Sequence, residues 1–201
     1  MNLRNYVILG AVVLVGMAAI LVGGIYFRPY NYQGSQIDPP LPAADIRLTD
    51  QSGKPFELSS LHGKVVLMFF GYTNCQDVCP ATLANLKQVR LRLGDQAKNV
   101  QVLFITVDPE RDTALRLQQY LAGFDPSFMG LTGRRNELEP VWNEFGIYVA
   151  KDTTASDLDY IIDHSGLIYA IDRKGMLRLT YTFDAGNDLI YQDIAHLVRE
   201  N

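Results

Sequence analysis

The run Val65-Val66-Leu67-Met68-Phe69-Phe70-Gly71-Tyr72-Thr73-Asn74-Cys75-Gln76-Asp77-Val78-Cys79-Pro80 is an apolar hexapeptide followed by a turn that holds both cysteines of the chain. Val65 to Phe70 reads as a buried strand. Leu83, Leu86, Val89 and Leu93 then recur at the spacing of one helix face. The two thiols therefore sit at a strand-to-helix turn, close to a helix N-terminus, where unsatisfied N–H groups and the helix dipole favour thiolate. Were both inside the helix, their i, i+4 spacing would place them on one face. Such a pair can bind a soft metal, cycle through a disulfide, or remain as inert buried thiols.

Outward from this centre the pattern is strand and helix in alternation. Ile46–Thr49 and Phe56–Leu58 flank the turn-rich Asp50–Pro55 and form an expected hairpin. Val102–Val107 is a second apolar strand, and Asp108-Pro109 then resembles a helix start, with Asp as N-cap and Pro at the first helical position. Helices are expected near Asn136–Phe145 and Asp188–Arg199. Strands are expected around Ile147–Val149, over Leu167–Ile171 and over Leu177–Phe183, the last two joined at Lys174-Gly175. The sum is a mixed-sheet α/β domain flanked by helices.

Val7 to Phe27 is 21 residues without a charge, enough to cross a bilayer core of about 30 Å at about 1.5 Å per residue. No Ala-x-Ala site follows it, so an uncleaved anchor over 1–28, spanning about 7–27, is expected rather than a signal peptide. Arg4 and Arg28 flank it almost symmetrically, and the N-terminal amine tips the orientation towards an inside N-terminus. Residues 29–44 hold four of the nine prolines and read as a stiff, extended linker. Residues 45–201 are the right size for one domain. A formal charge of -4 leaves no basic stripe for phosphates, so nucleic-acid binding is not expected.

Two thiolates select Cu(I), zinc or iron–sulfur clusters. A cluster needs about four cysteines and structural zinc about four ligands, while the chain offers two cysteines and three histidines. Cu(I) accepts fewer ligands. His62 lies in a turn before the apolar strand, and His196 on the terminal helix. His164, in Ile161-Ile162-Asp163-His164-Ser165-Gly166, lies in an expected loop, where it is either a ligand or a structural histidine.

Gly71-Tyr72-Thr73-x-Cys75-x-Asp77-Val78-Cys79-Pro80, Val107-Asp108-Pro109-Glu110-Arg111-Asp112-Thr113, Gly130-Leu131-Thr132-Gly133 and Tyr160–Ser165 follow one another in the order of the Sco/SenC family, which the chain resembles from Phe56 to about Phe183. The resemblance implies a thioredoxin-like fold and copper held by Cys75, Cys79 and His164, Cu(I) favoured and Cu(II) admitted. It also implies delivery of copper to, or reduction of the thiols of, the dinuclear centre of cytochrome c oxidase subunit II, with the domain in the periplasm or an equivalent space. On this reading the protein is a chaperone rather than an enzyme, and its upstream copper donor is unspecified. The rival is a thiol–disulfide oxidoreductase using a Cys75–Cys79 disulfide. The three-residue spacing and the lack of proline after Pro140 count against it. Asp77 and Asp163 are candidates to orient the ligands. The family commonly has Pro where this chain has Gln76, which restores a backbone N–H and frees φ. The Asp108–Asp112 block is expected to serve mainly as helix cap and surface ion pair.

Overall fold

A computed structural model describes residues 2–26, 30–152 and 160–200 and divides the chain into two compact units, Met1–Tyr32 and Gln33–Asn201. The first contains one helix, α1 (Leu3–Tyr26). Its side chains at positions 6, 9, 19 and 21–26 are outside the description. Among the described residues no helix is long and apolar enough to cross a membrane. The expected span over 7–27 ends on residue 27, which with 28 and 29 lies outside the described residues.

The second unit runs β1 (Ser35–Pro42), β2 (Arg47–Asp50), β3 (Pro55–Glu57), β4 (Val65–Gly71), α2 (Val78–Leu93), β5 (Val100–Thr106), α3 (Ala114–Ala122), β6 (Met129–Thr132), α4 (Arg135–Glu144), β7 (Val149–Asp152), β8 (Ile161–His164), β9 (Leu167–Ile171), β10 (Met176–Thr182) and α5 (Asn187–Arg199). Eight strands form one mixed sheet in the order β1-β10-β9-β4-β5-β6-β2-β3, and β7 pairs with β8 apart from it. β4 lies at the centre, parallel to β5 and antiparallel to β9. All seven of its residues are buried. A strand covered on both faces has no polar alternation, which is why Val65–Phe70 reads as an unbroken apolar run. Parallel β4, β5 and β6 need long connections, and α2 and α3 supply them. Leu83, Leu86, Val89 and Leu93 form the buried face of α2, which packs against α5, while α5 in turn contacts β4. The expected mixed α/β architecture is present, and so is the β2–β3 hairpin.

Two expectations are corrected. The proline-rich run is extended as expected but is not a free linker throughout, because Ser35–Pro42 pairs antiparallel with β10, with a register shift between Gln36 and Leu41. It is fastened by the buried Asp193 of α5, whose carboxylate accepts the backbone N–H groups of Gln33 at 3.0 Å and Gly34 at 2.9 Å, and the Tyr181 hydroxyl at 3.0 Å. Composition reports only what a segment can bury alone, whereas this segment is held by a partner as far as 160 residues later in the sequence. Asp108, in turn, caps no helix: α3 starts at Ala114, and Thr113 Oγ1 accepts the Arg116 N–H. The Asp108 carboxylate is engaged elsewhere.

Candidate metal centre

β4 delivers the chain to its C-terminal end at Gly71, whose carbonyl accepts Val107 N–H at 2.8 Å and so ties the ends of β4 and β5 together. A Cβ on Gly71 would lie 2.8 Å from Cys79 Sγ, 2.9 Å from Phe104 and 3.0 Å from Phe69. Only glycine leaves room for that sulfur. The turn that follows is held by Asp112, which is fully buried. Its carboxylate accepts Thr73 N–H at 3.1 Å, Thr73 Oγ1 at 2.5 Å and Thr106 Oγ1 at 2.7 Å. Burial pushes the Asp112 pKa up despite these donors.

α2 begins at Val78, so Cys79 is helical and Cys75 lies in the preceding turn. Asp77 occupies the N-cap position but its side chain caps nothing. Instead Cys75 Sγ accepts the Cys79 N–H at 3.3 Å. The sulfur thus takes one of the helix N-terminal donors that a capping oxygen would otherwise satisfy. The Cys79 thiol, its first hydrogen-bond partner, lowers the Cys75 pKa to about 4; the backbone N–H groups of Cys79 and Asp77 add to this, against partial burial. Cys79 is pushed up, first by its bond to Cys75 and then by burial. The pair thus holds one negative charge, on the more accessible sulfur. Both thiols are free.

His164 arrives from β8, as the last residue of a strand rather than in the expected loop. Its Nε2 lies 3.7 Å from Cys79 Sγ. Its Nδ1 is 3.0 Å from the Ser165 carbonyl. A carbonyl only accepts, so Nδ1 carries the proton and the Nε2 lone pair faces the sulfurs. Tyr72 and Phe69 pack edge-on against the imidazole, with ring centroids 5.8 and 6.3 Å away. The Tyr72 hydroxyl also accepts the Ile162 N–H at 3.3 Å, joining the cysteine turn to β8. The ligand atoms of Cys75, Cys79 and His164 all lie within 4.8 Å of one another. They form the only such group among the described residues.

Asp77 and Asp163 are exposed on the wall of an adjoining cleft of about 400 Å³. Neither carboxylate holds the imidazole, since the Ser165 carbonyl takes that part. The other histidines are elsewhere. His62 packs on Gly175 near the opposite end of β4, and His196 pairs with Glu200 at 3.0 Å. The parts of Gly71, Tyr72 and Ser165 were not read from sequence. A glycine between an apolar strand and a cysteine turn was the one available signal.

The SCO1/SenC family model matches residues 36–199. The chain belongs to the SCO1/SenC family. A SCO2-like protein of Rickettsia conorii is 36% identical over 132 residues, 65% of this chain and 64% of its own length. The chain thus spans under two thirds of the curated relatives it first matches. The mitochondrial SCO2 homolog of Bos taurus is 37% identical over 140 residues, 69% of this chain and 53% of the relative. Among solved structures, Bradyrhizobium japonicum ScoI with copper bound superposes with a TM-score of 0.72 at 38% identity, covering 78% of this chain and 99% of that one. Apo Sco1 from Thermus thermophilus gives 0.76 at 34% identity, covering 84% and 98%. The mixed α/β fold of this SCO1/SenC chain is that of these Sco structures.

Proposed function

We propose that this chain is a membrane-anchored copper chaperone that helps assemble the dinuclear copper centre of cytochrome c oxidase subunit II. The observation that carries this reading is the convergence of two sulfurs and one imidazole nitrogen, with Nε2 3.7 Å from Cys79 Sγ. Metal–sulfur and metal–nitrogen bonds of about 2.3 and 2.0 Å, as for zinc, separate an S–N pair in a trigonal site by about 3.7 Å. The residues fit a three-coordinate soft ion with little movement, and Cu(I) tolerates that coordination number. The copper-bound ScoI relative supports the same assignment. Copper is cargo here. Cys75 offers a preformed thiolate at the cleft, Cys79 a second sulfur once deprotonated, and His164 a ring nitrogen already facing the sulfurs. Incoming thiolates of the acceptor would displace these donors one at a time. The charge-free run Val7–Phe27 would provide the anchor, with the N-terminus cytoplasmic and the domain periplasmic. Asp77 and Asp163, exposed beside the ligands, would act on the acceptor rather than on the ion.

A second reading is a thiol–disulfide oxidoreductase that keeps the subunit's cysteines reduced, and the Cys75 thiolate favours it. Cys75 would attack an acceptor disulfide, releasing one thiolate. Cys79 would then displace the second, leaving a Cys75–Cys79 disulfide and two acceptor thiols. To separate the readings, the reduced full-length chain is titrated anaerobically with Cu(I) against a chelator, alongside His164→Ala, Cys75→Ser and Cys79→Ser. The chaperone reading expects all three variants to lose most of their affinity. His164→Ala binding like wild type, with Cys→Ser abolishing reduction of a subunit peptide, would establish the oxidoreductase instead.

A further inference from the structure

The block Asp108-Pro109-Glu110-Arg111-Asp112 folds against the strand pair that carries His164. Asp108 is 2% exposed. Its Oδ1 accepts the Tyr160 hydroxyl at 2.5 Å, and its Oδ2 accepts Arg111 Nε. Arg111 Nη1 donates to the Tyr160 carbonyl at 3.1 Å, and the guanidinium lies 3.6 Å from the Tyr160 ring centroid. One short turn therefore grips Tyr160 by its backbone, its hydroxyl and its ring. From β7, Lys151 Nζ sits 3.7 Å from the same ring and 3.1 Å from Glu110 Oε2. Among the described residues Arg111 Nη2 is buried without a hydrogen-bond partner. A buried unpaired donor is destabilising, so stability alone does not account for this arginine.

Tyr160 immediately precedes β8, and His164 ends it. Because β7 and β8 stand apart from the main sheet, no ladder of the eight-stranded sheet sets the height of the imidazole over Cys79. At about 3.3 Å per residue, Tyr160 and His164 are about 13 Å apart along the strand, so a small pivot at Tyr160 shifts the ring at the far end. From this geometry we infer that Asp108, Arg111 and Tyr160 are positioning residues for His164, a latch that fixes the two-stranded hairpin so that Nε2 rests against the sulfurs. The inference rests on the proposed copper role of His164. None of the three touches a ligand atom in any contact described above.

A double-mutant cycle in the full-length chain tests it. Tyr160→Phe removes one oxygen and keeps the ring, and Arg111→Ala removes the grip. Each is made with and without His164→Ala, and Cu(I) affinity is read by chelator competition. Each single change is expected to weaken Cu(I) binding by about 10-fold or more, in the range seen for groups that orient metal ligands, and to add nothing once His164 is alanine. In the metal-free protein the His164 ring-nitrogen shifts are expected to move towards averaged tautomers in both latch variants. Losses that multiply with His164→Ala, or unchanged ring-nitrogen shifts in a variant of lowered Tm, would overturn the latch. Should Arg111→Ala fail to fold, Tyr160→Phe carries the test. His164→Ala binding Cu(I) like wild type would refute the copper role, and the ring-nitrogen shifts would then decide the latch alone.

Discussion

Gly71→Ala is the sharpest test of how the site is built. The new methyl carbon would stand 2.8 Å from Cys79 Sγ, 2.9 Å from Phe104 Cε2 and 3.0 Å from Phe69 Cε1. All three neighbours are 0% exposed, so none can swing into solvent to make room. Overpacking of this kind costs about 1–3 kcal/mol. For a folded unit of this size, about 2–4 °C of Tm per kcal/mol gives a fall of about 2–12 °C. The atom closest to the methyl is a proposed ligand, so part of the strain should move it. A shift worth about 1.4 kcal/mol is tenfold in affinity, and Cu(I) binding should weaken by about that factor. Gly130→Ala is the control. Its methyl meets Leu121 at 2.9 Å, Leu117 at 3.0 Å and Gln51 at 3.1 Å, all away from the sulfurs. It should lower Tm comparably and leave Cu(I) affinity intact. Thermal unfolding and chelator competition on both variants settle the matter. A Gly71→Ala protein that melts and binds like wild type, or a Gly130→Ala protein that loses affinity equally, would refute the reasoning.

Two further outcomes are expected. The Cys75 pKa is depressed to about 4, so its thiolate persists above that value and its alkylation by iodoacetamide should fall only as pH drops through about 4. Cys79, shifted upward and buried, should stay unlabelled; mass mapping that finds Cys75 reacting only near pH 8–9, like a free thiol, would contradict this. Asp193→Ala removes the acceptor shared by the Gln33 and Gly34 N–H groups and the Tyr181 hydroxyl, and should cost at least the roughly 1.5–3 kcal/mol of one bond to a charged acceptor. Limited proteolysis should then cut within residues 33–42, and denaturant unfolding should report the loss. Wild-type values in both would remove Asp193 from its clasping role.

The cysteine turn and the central strands were legible because their signals are local. An apolar run, a turn and a helical stripe each declare themselves within about ten residues. His164 was legible as a candidate only, and the resemblance to the family decided among three histidines. What escaped was nonlocal. β1 exists because β10 and Asp193 receive it, and neither is announced by Ser35–Pro42 itself. Asp108-Pro109 has the chemistry of a helix start, yet Tyr160 and Arg111 claim the carboxylate first, and Thr113 caps α3 in its place. The tautomer of His164 depends on the Ser165 carbonyl, a backbone atom that no side-chain pattern reports.

The ends of the large sheet also bear on how the protein behaves among its neighbours. β1 forms one boundary and β3 the other. Three of the eight residues of β1 are prolines, while β3 is three residues long and begins with Pro55. Proline has no N–H to offer, so a stray strand docking on either rim would find gaps where it needs donors. On the proposed function, a domain that exposes soft ligands to an acceptor would thereby be kept from recruiting unrelated chains by their backbones, and recognition would be left to the surface around the sulfurs.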